Sequence, residues 1–493
     1  MKQFKNYING EWVPAQSGET FQDLNPANRG DVIGEFPKSG KAEIDAAVAS
    51  ARAAYKTWRL VPAPRRAEFL FKAAEEMVRR KEELAQEMTR EMGKVISEAR
   101  GDVQEAIDMM YFIAGEGRRA HGYSAPCELP NKQAWCERQP IGVCGLITPW
   151  NFPSAIPVWK LAPSLVMGNA VVFKPASDTP LLATRLVEIL VHAGIPGGAL
   201  NLVHGPGSVC GAALVSHPDV DLVSFTGSSD VGRDISSGCA PTFKRVSLEM
   251  GGKNAIIVMD DADLDLAVDG CIWGAFGTSG QRCTASSRII VHKAVVAEFT
   301  KKMTERAKAL RLGDGLLATT DVGPVINAAA AKKIVSYIEI GKAEGATLLC
   351  GGGMASGGAL ADGNFVQPTL FGDVKPGMRI AQEEIFGPVT VIIPVGSLDE
   401  AIDAANNTQF GLSASIFTSN VNNAFRAARD VYTGIFYMNA ATIGAEIQFP
   451  FGGTRATGNG HREGGEQVLD VFSEWKTVYV DYSGTVQKAQ IDV

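Results

Sequence analysis

The chain has 493 residues, of which 45% are hydrophobic and 20% charged, with 53 glycines and 24 prolines. At roughly 150 residues per domain it holds about two to four structural units, which bury cores without disulfide or metal support, and wholesale disorder is excluded. Lysine plus arginine number 47 against 54 aspartate plus glutamate, a formal charge of −7, so nothing draws the chain electrostatically to nucleic acid or anionic membrane.

The first third opens with a short strand-like piece and then turns helical. Ile44, Val48, Ala51, Tyr55 and Trp58 fall on one helical stripe. A second helix is predicted from about Ala67 to Met92 and a third from about Glu98 to Arg119. From Ile141 the period changes. The apolar runs Val143–Ile147, Ala170–Phe173, Leu200–Val203, Leu222–Phe225 and Ala255–Met259 alternate with helical stretches around 156–168, 180–193 and 208–216. Such runs, separated by helices, predict parallel strands buried on both faces. Past Asp261 the pattern repeats. Asp260 or Asp261 can cap a helix through Asp263–Ile272, a Gly-rich loop follows, and then comes the run Arg288–Val291. Val389–Val395, a helix over 398–406 and Ser413–Phe417 complete a second α/β unit, Gly351–Gly358 reads as a surface loop, and Thr477–Tyr482 alternates like an edge strand.

The N-terminus lacks the apolar core of a secretory signal. The most apolar region, 143–173, is broken by Pro149, Asn151, Pro153, Pro157, Lys160, Pro163 and Asn169, short of the roughly 18 unbroken residues a membrane span needs. Eight cysteines (Cys127, Cys136, Cys144, Cys210, Cys239, Cys271, Cys283 and Cys350) include no CxxC pair, and no Cys/His cluster has zinc-ligand spacing, so no metal site is expected. They read as reduced thiols in a cytoplasm-like compartment.

Three segments have the residue types of a reactive centre. Cys283, in Gly280-Gln281-Arg282-Cys283-Thr284, stands beside an arginine that can lower a thiol pKa; the alternative is a buried structural thiol. Glu249, in Leu248-Glu249-Met250-Gly251-Gly252, is a carboxylate between apolar residues and glycines, suited to a general base, or else a surface glutamate before a turn. Asn151 follows a strand in Thr148-Pro149-Trp150-Asn151-Phe152-Pro153, where its amide can donate to an oxyanion or can simply brace a Pro-flanked turn. Two glycine-rich segments miss the usual phosphate-loop rules. Gly205–Gly211 places its third glycine one residue late, and Gly227–Asp234 lacks the Lys-Ser/Thr pair. Phe225-Thr226-Gly227-Ser228 nevertheless leads from a strand into a helix whose first amides can hold an anion.

In their order along the chain, Thr148–Pro153, Phe173–Ser177, Phe225–Gly232, Leu248–Gly252, Gly280–Cys283, Glu383–Val389 and Pro450–Gly453 resemble the motif blocks of the aldehyde dehydrogenase superfamily. The resemblance implies an α/β architecture of two doubly wound parallel-sheet lobes and a small β oligomerisation flap. Its division is a dinucleotide-binding lobe of 1–118 and 141–251, a catalytic lobe of 252–469, and a flap of 119–140 and 470–493. It implies that Cys283 attacks the aldehyde, that Asn151 and the Cys283 N–H hold the oxyanion, and that Glu249 activates the water that hydrolyses the thioester. Cofactor contacts are implied for Thr148, Pro149, Trp150, Lys174, Ser177, Gly207, Gly211, Phe225, Thr226, Gly227, Ser228, Glu249, Gly251, Glu384 and Phe386. Many NAD-specific members carry a glutamate where Ser177 stands, so NADP is expected to be accepted alongside NAD.

The pocket is implied to be lined by the helix near Met109–Arg119, Phe152, Trp159 and residues 439–447. Gly444-Ala445-Glu446-Ile447, Gly458–Glu463 and the Asp481-Tyr482-Ser483 tail are similar to members that oxidise semialdehydes of dicarboxylic acids, such as α-ketoglutaric or α-aminoadipic semialdehyde; Arg118 or Arg119 can pair with the distal carboxylate or else belong to a solvated helix face. A broad aliphatic or aromatic aldehyde dehydrogenase and a cysteine-dependent ester or thioester hydrolase are the alternatives. A homodimer or homotetramer is expected, since an uncovered edge strand at Lys476–Asp481 invites aggregation.

Overall fold

The computed structural model describes residues 2–488; Met1 and 489–493, the end of the segment assigned to the flap, lie outside the described residues. Two seven-stranded sheets dominate. In the first, five parallel strands run in the order Arg245–Met250, Leu222–Gly227, Val143–Ile147, Ala170–Lys174, Leu200–Leu202. An N-terminal hairpin, Asn6–Ile8 with Glu11–Val13, extends this sheet antiparallel. Asn9 and Gly10, at φ 53° and 86°, supply the two left-handed residues of its tight turn. The second sheet aligns Thr369–Gly372, Val389–Val395, Ser286–His292, Asn254–Val258, Ser413–Phe417 and Ile435–Met438 in parallel, with Thr347–Cys350 antiparallel at one edge. The doubly wound parallel character therefore stands, with antiparallel edges. The central strands are buried along their length because helices cover both faces, which is why they read as unbroken apolar runs.

The sequence and the structure part most clearly in three helical stretches, and the helix expected to reach Arg119 ends at Glu116. The long helix expected from about Ala67 to Met92 is two helices, Ala63–Arg79 and Lys81–Met92. At Arg80 ψ opens to 9°, and each segment turns its own stripe (Leu70, Ala74, Met77; Leu84, Met88, Met92) inward. The helix after Asp261 is Leu264–Phe276, and its cap is Asp263, which accepts the Asp265 and Leu266 N–H groups. Asp261 is engaged elsewhere, by the hydroxyls of Thr418 and Ser419. The helical stretch at 208–216 is a wide turn, Gly207–Gly211, followed by the short helix Ala212–Ser216.

A three-stranded antiparallel flap joins Ser473–Asp481 to Lys132–Pro140 and that to Tyr123–Pro126. Ser473–Asp481 is paired on one edge only, with Trp475 and Tyr479 exposed. Among the described residues no helix is long and apolar enough to cross a membrane, and no group of three or more His, Cys, Asp or Glu side chains is arranged to hold a metal ion.

Candidate active site

The carboxyl ends of the first sheet's parallel strands form the crevice in which open α/β sheets bind ligands. Register puts Ile147 beside both Lys174 and Phe225, and Thr226 beside Glu249, so Thr148, Lys174, Thr226 and Glu249 all reach this end. The buried Lys174 ammonium meets no hydrogen-bond acceptor among the described residues, and burial lowers its pKa to about 8. A side chain at Gly207 would begin 3.7 Å from that nitrogen, and one at Gly211 would begin 3.9 Å from Ile147 Cδ1. The hydroxyls of Thr148 and Thr226 are buried without partners. Ser228 caps the helix Ser229–Cys239 by accepting the Val231 N–H at 3.4 Å. Ser177 donates to the Gly205 carbonyl at 3.1 Å, and the neighbouring Asp178 accepts from Asn327 at 2.8 Å. A free ammonium, two unused hydroxyls and a glycine-lined approach fit a dinucleotide's phosphates and riboses.

The far wall of the crevice comes from the second sheet. Glu384 accepts the Gly252 N–H at 3.0 Å, and a Cβ on Gly251 would lie 2.1 Å from its carboxylate, so a side chain at 251 would push that carboxylate out of place. Phe386, at φ 60°, meets Trp150 edge-on with ring centroids 5.5 Å apart, Pro149 lying half-buried beside it.

Cys283 follows a tight turn, Gly277–Gly280, in which Thr278, Ser279 and Gly280 are successively left-handed at φ 51°, 54° and 68°. A Cβ at Gly280 would stand 2.1 Å from the Gly387 carbonyl oxygen. Asn254 Nδ2 donates to the Cys283 carbonyl at 2.7 Å and Thr442 Oγ1 to that of Thr284, also at 2.7 Å. The sequence suggested an arginine lowering the thiol pKa. Instead the Arg282 guanidinium points to Glu98 at 3.2 Å and lies over the rings of Trp273 and Phe152. Burial pushes the Cys283 thiol up to about 12, and Glu384 and Glu249 push it the same way. The resting sulfur is a neutral thiol.

Glu249 is one of those neighbours. It is buried, and neither of its carboxylate oxygens has a hydrogen-bond partner among the described residues. Desolvation raises its pKa well above the carboxylate range and Glu463 adds to this, while Lys160 and Arg462 oppose it. Room for the carboxylate comes from Gly452, at φ 149°, where a Cβ would lie 2.5 Å from Glu249 Oε1. Asn151 is buried in the loop that follows the strand Val143–Ile147, and its amide makes no hydrogen bond to the described protein. A cysteine sulfur, a buried carboxyl whose pKa is raised and an uncommitted amide donor suit covalent capture of a carbonyl followed by hydrolysis.

Sequence reasoning missed several groups. Lys160 and Glu463 form a fully buried ion pair near Glu249, and Lys160 also donates to Ser224 Oγ at 2.9 Å. The signal was there, a lone lysine inside the apolar helix Ala155–Met167. The Tyr437 hydroxyl is buried and unpartnered within the field of Cys283. Glu105 is pushed up to about 8 by burial. Of the expected pocket residues, Met109 lies in the core and Trp159 packs edge-on against Phe451 at 5.3 Å, its indole N–H unpartnered. Arg119, in the turn after the helix Ile96–Glu116, folds back and pairs with Glu116 at 2.6 Å, while Arg118 is exposed.

Comparison with known proteins agrees with this arrangement. The chain is 43% identical over 477 residues to the α-ketoglutaric semialdehyde dehydrogenase of Bacillus subtilis, covering 97% of this chain and 98% of that one. It is likewise 43% identical over 479 residues to the α-ketoglutarate semialdehyde dehydrogenase of Haloferax volcanii, covering 97% and 99%. Among solved structures, betaine aldehyde dehydrogenase of Staphylococcus aureus in complex with NAD+ superposes with a TM-score of 0.96 at 34% identity, covering 98% of this chain and 96% of that one. The model of the aldehyde dehydrogenase family matches residues 12–478, and the chain belongs to that family.

Proposed function

We propose that this enzyme oxidises the semialdehyde of a dicarboxylic acid, of the α-ketoglutaric semialdehyde class, to the acid with NAD or NADP. The names of relatives 43% identical over nearly the whole chain support the substrate class. The observation that carries the chemistry is Glu249, a buried carboxylate without a hydrogen-bond partner in the field of the Cys283 sulfur. In this reading the Cys283 sulfur, once deprotonated, bonds to the aldehyde carbon and the carbonyl pair moves onto oxygen. The Asn151 amide and the Cys283 N–H hold that oxyanion. A bound nicotinamide supplies the hydride acceptor. What remains on Cys283 is a thioester. Glu249 takes a proton from water as its oxygen attacks the thioester carbon, the C–S bond breaks, and the carboxylic acid and the Cys283 thiolate part. Lys174, Thr148, Pro149, Trp150, Phe225, Thr226, Gly227, Ser228, Gly207 and Gly211 line the dinucleotide side, with Gly251, Glu384 and Phe386 opposite.

Ser177 carries no charge to repel a 2′-phosphate, and Lys174 nearby attracts one, so NADP is used as well as NAD. The proposal includes the lobe boundaries 1–118 with 141–251, 252–469, and the flap 119–140 with 470–493. It also includes a homodimer or homotetramer, supported by the open outer edge of Ser473–Asp481, and a reducing, cytoplasm-like compartment, supported by eight free cysteines. The test is a screen of dicarboxylic semialdehydes against plain aliphatic and aromatic aldehydes with both coenzymes, in the parent and in Cys283→Ala. Semialdehydes should lead by at least tenfold in kcat/KM and Cys283→Ala should be inert. A preference for plain aldehydes, or near-parental turnover in Cys283→Ala, refutes the reading.

A further inference from the structure

One helix, Ile96–Glu116, reaches both halves of the site. Glu98 and Asp102, four residues apart and both buried, share a face of it. Asp102 serves the loop that bears Asn151. Its Oδ1 accepts the Ala155 N–H at 2.8 Å, and its Oδ2 pairs with the buried Lys94 ammonium at 2.8 Å. That ammonium lies 4.0 Å from the centroid of the Phe152 ring. Glu98 crosses to the loop that bears Cys283. Both its oxygens accept the Thr278 N–H, at 2.9 and 3.0 Å; Oε2 also accepts the Thr278 hydroxyl at 3.1 Å, and Oε1 pairs with Arg282 at 3.2 Å. Arg282 Nε donates back to Thr278 Oγ1 at 2.9 Å, closing a ring of three side chains.

The loop needs such a hold. Thr278 is β-branched and Ser279 follows it in the left-handed region, which side-chain-bearing residues seldom adopt and successive ones less often still. Among its other ties are a Ser279 hydroxyl bond to the Gly323 carbonyl at 2.7 Å, the Ile326 N–H donated to Gln281 at 2.9 Å and the Asn254 amide on the Cys283 carbonyl. Only Glu98 binds the backbone N–H of the first left-handed residue, and it does so from the element whose next turn fixes the Asn151 loop.

We propose that Glu98 is the positioning residue of the nucleophile, a buried clamp that holds Thr278 left-handed so that Cys283 is presented to a carbonyl held by Asn151. This rests on the reading of Cys283 as nucleophile, and the test separates the two. In Glu98→Gln a carboxylate becomes an amide with one acceptor oxygen, whose NH2 faces the Thr278 and Arg282 donors. Two quantities are to be measured on the full-length enzyme: turnover of α-ketoglutaric semialdehyde, and the rate at which iodoacetamide alkylates Cys283, followed by peptide mass spectrometry. Glu98→Gln should lower kcat at least tenfold and alkylation by a similar factor, with the coenzyme KM within twofold of the parent.

A merely structural lesion would not respond to the second change. Glycine adopts the left-handed conformation freely, so adding Thr278→Gly to Glu98→Gln should restore at least fivefold of the lost turnover, while in the parent it gains nothing. Parental kinetics in Glu98→Gln, or a deficit that Thr278→Gly leaves untouched, overturns the clamp. If Glu98→Gln does not fold, Thr278→Val, which removes the hydroxyl shared with Glu98 and Arg282, must lower both rates, and parental rates there overturn it equally. Activity surviving in Cys283→Ala sinks the nucleophile; an inert Cys283→Ala beside a parental Glu98→Gln sinks only the clamp.

Discussion

Replacing Gly452 by alanine puts a methyl group where the Glu249 carboxylate now rests. The new Cβ would lie 2.5 Å from Glu249 Oε1 and 2.9 Å from Arg462 Cδ, where ordinary contact begins near 3.4 Å. The carboxylate must therefore move by about 1 Å, and φ 149° is close to a glycine-only conformation, adding about 1–3 kcal/mol of backbone strain. A displacement of that size at a reacting group costs about 100-fold, or about 2.7 kcal/mol at about 1.36 per decade. The loss should fall on one step. In the proposed mechanism, attack by Cys283 and formation of the thioester do not use Glu249 as a base, whereas hydrolysis does. Rapid mixing with aldehyde and coenzyme should give a burst of one reduced nicotinamide per active site followed by a steady state about 100-fold slower than the parent's. Mass spectrometry of the quenched enzyme should find the acyl group on the peptide containing Cys283. A steady-state rate within threefold of the parent, or a slowed reaction without a burst, would mean that Gly452 does not make room for the base.

Two further outcomes follow from buried charges. Burial holds Lys174 near a pKa of about 8, against 10.5 for a free lysine, so its positive charge is present below that value and lost above it. Coenzyme affinity, read by fluorescence titration, should weaken as pH rises from about 8 to about 10, more steeply for NADP than for NAD, and Lys174→Met should abolish the dependence; a flat parental profile contradicts the assignment. Lys94 and Asp102 are a pair with no exposed side-chain surface, and removing one partner of such a pair costs about 3–5 kcal/mol because a bare charge stays buried. Lys94→Met should therefore lower the urea midpoint markedly, and an unchanged midpoint would show that Asp102 finds another partner or takes up a proton.

The elements that spoke plainly in the sequence are those whose burial is two-sided. Val143–Ile147 and Ser413–Phe417 are apolar throughout because helices cover both faces, and their bounds were readable to the residue. Arg245–Met250 was not read as a strand, since its charged start and Glu249 break the apolar run. The break at Arg80 carries neither Gly nor Pro, so periodicity ran straight through it. At the site, motif blocks marked Cys283, Glu249 and Asn151, yet the direction of an arginine side chain is a tertiary fact: Arg282 adjoins Cys283 in the chain but is spent on Glu98, 184 residues away. The roles of Glu98 and Glu463 were hidden for the same reason, each being defined by a partner distant in sequence, and the lone Lys160 in an apolar helix was visible without its partner.

Glu249 belongs to the last-but-one position of the first sheet's final strand, and only Gly251, Gly252 and Lys253 separate that strand from Asn254, where the second sheet begins. Three residues span at most about 11 Å. So short a link ties the Glu249 backbone closely to the start of the second sheet, and a longer or looser connection here would let the carboxylate drift from its place.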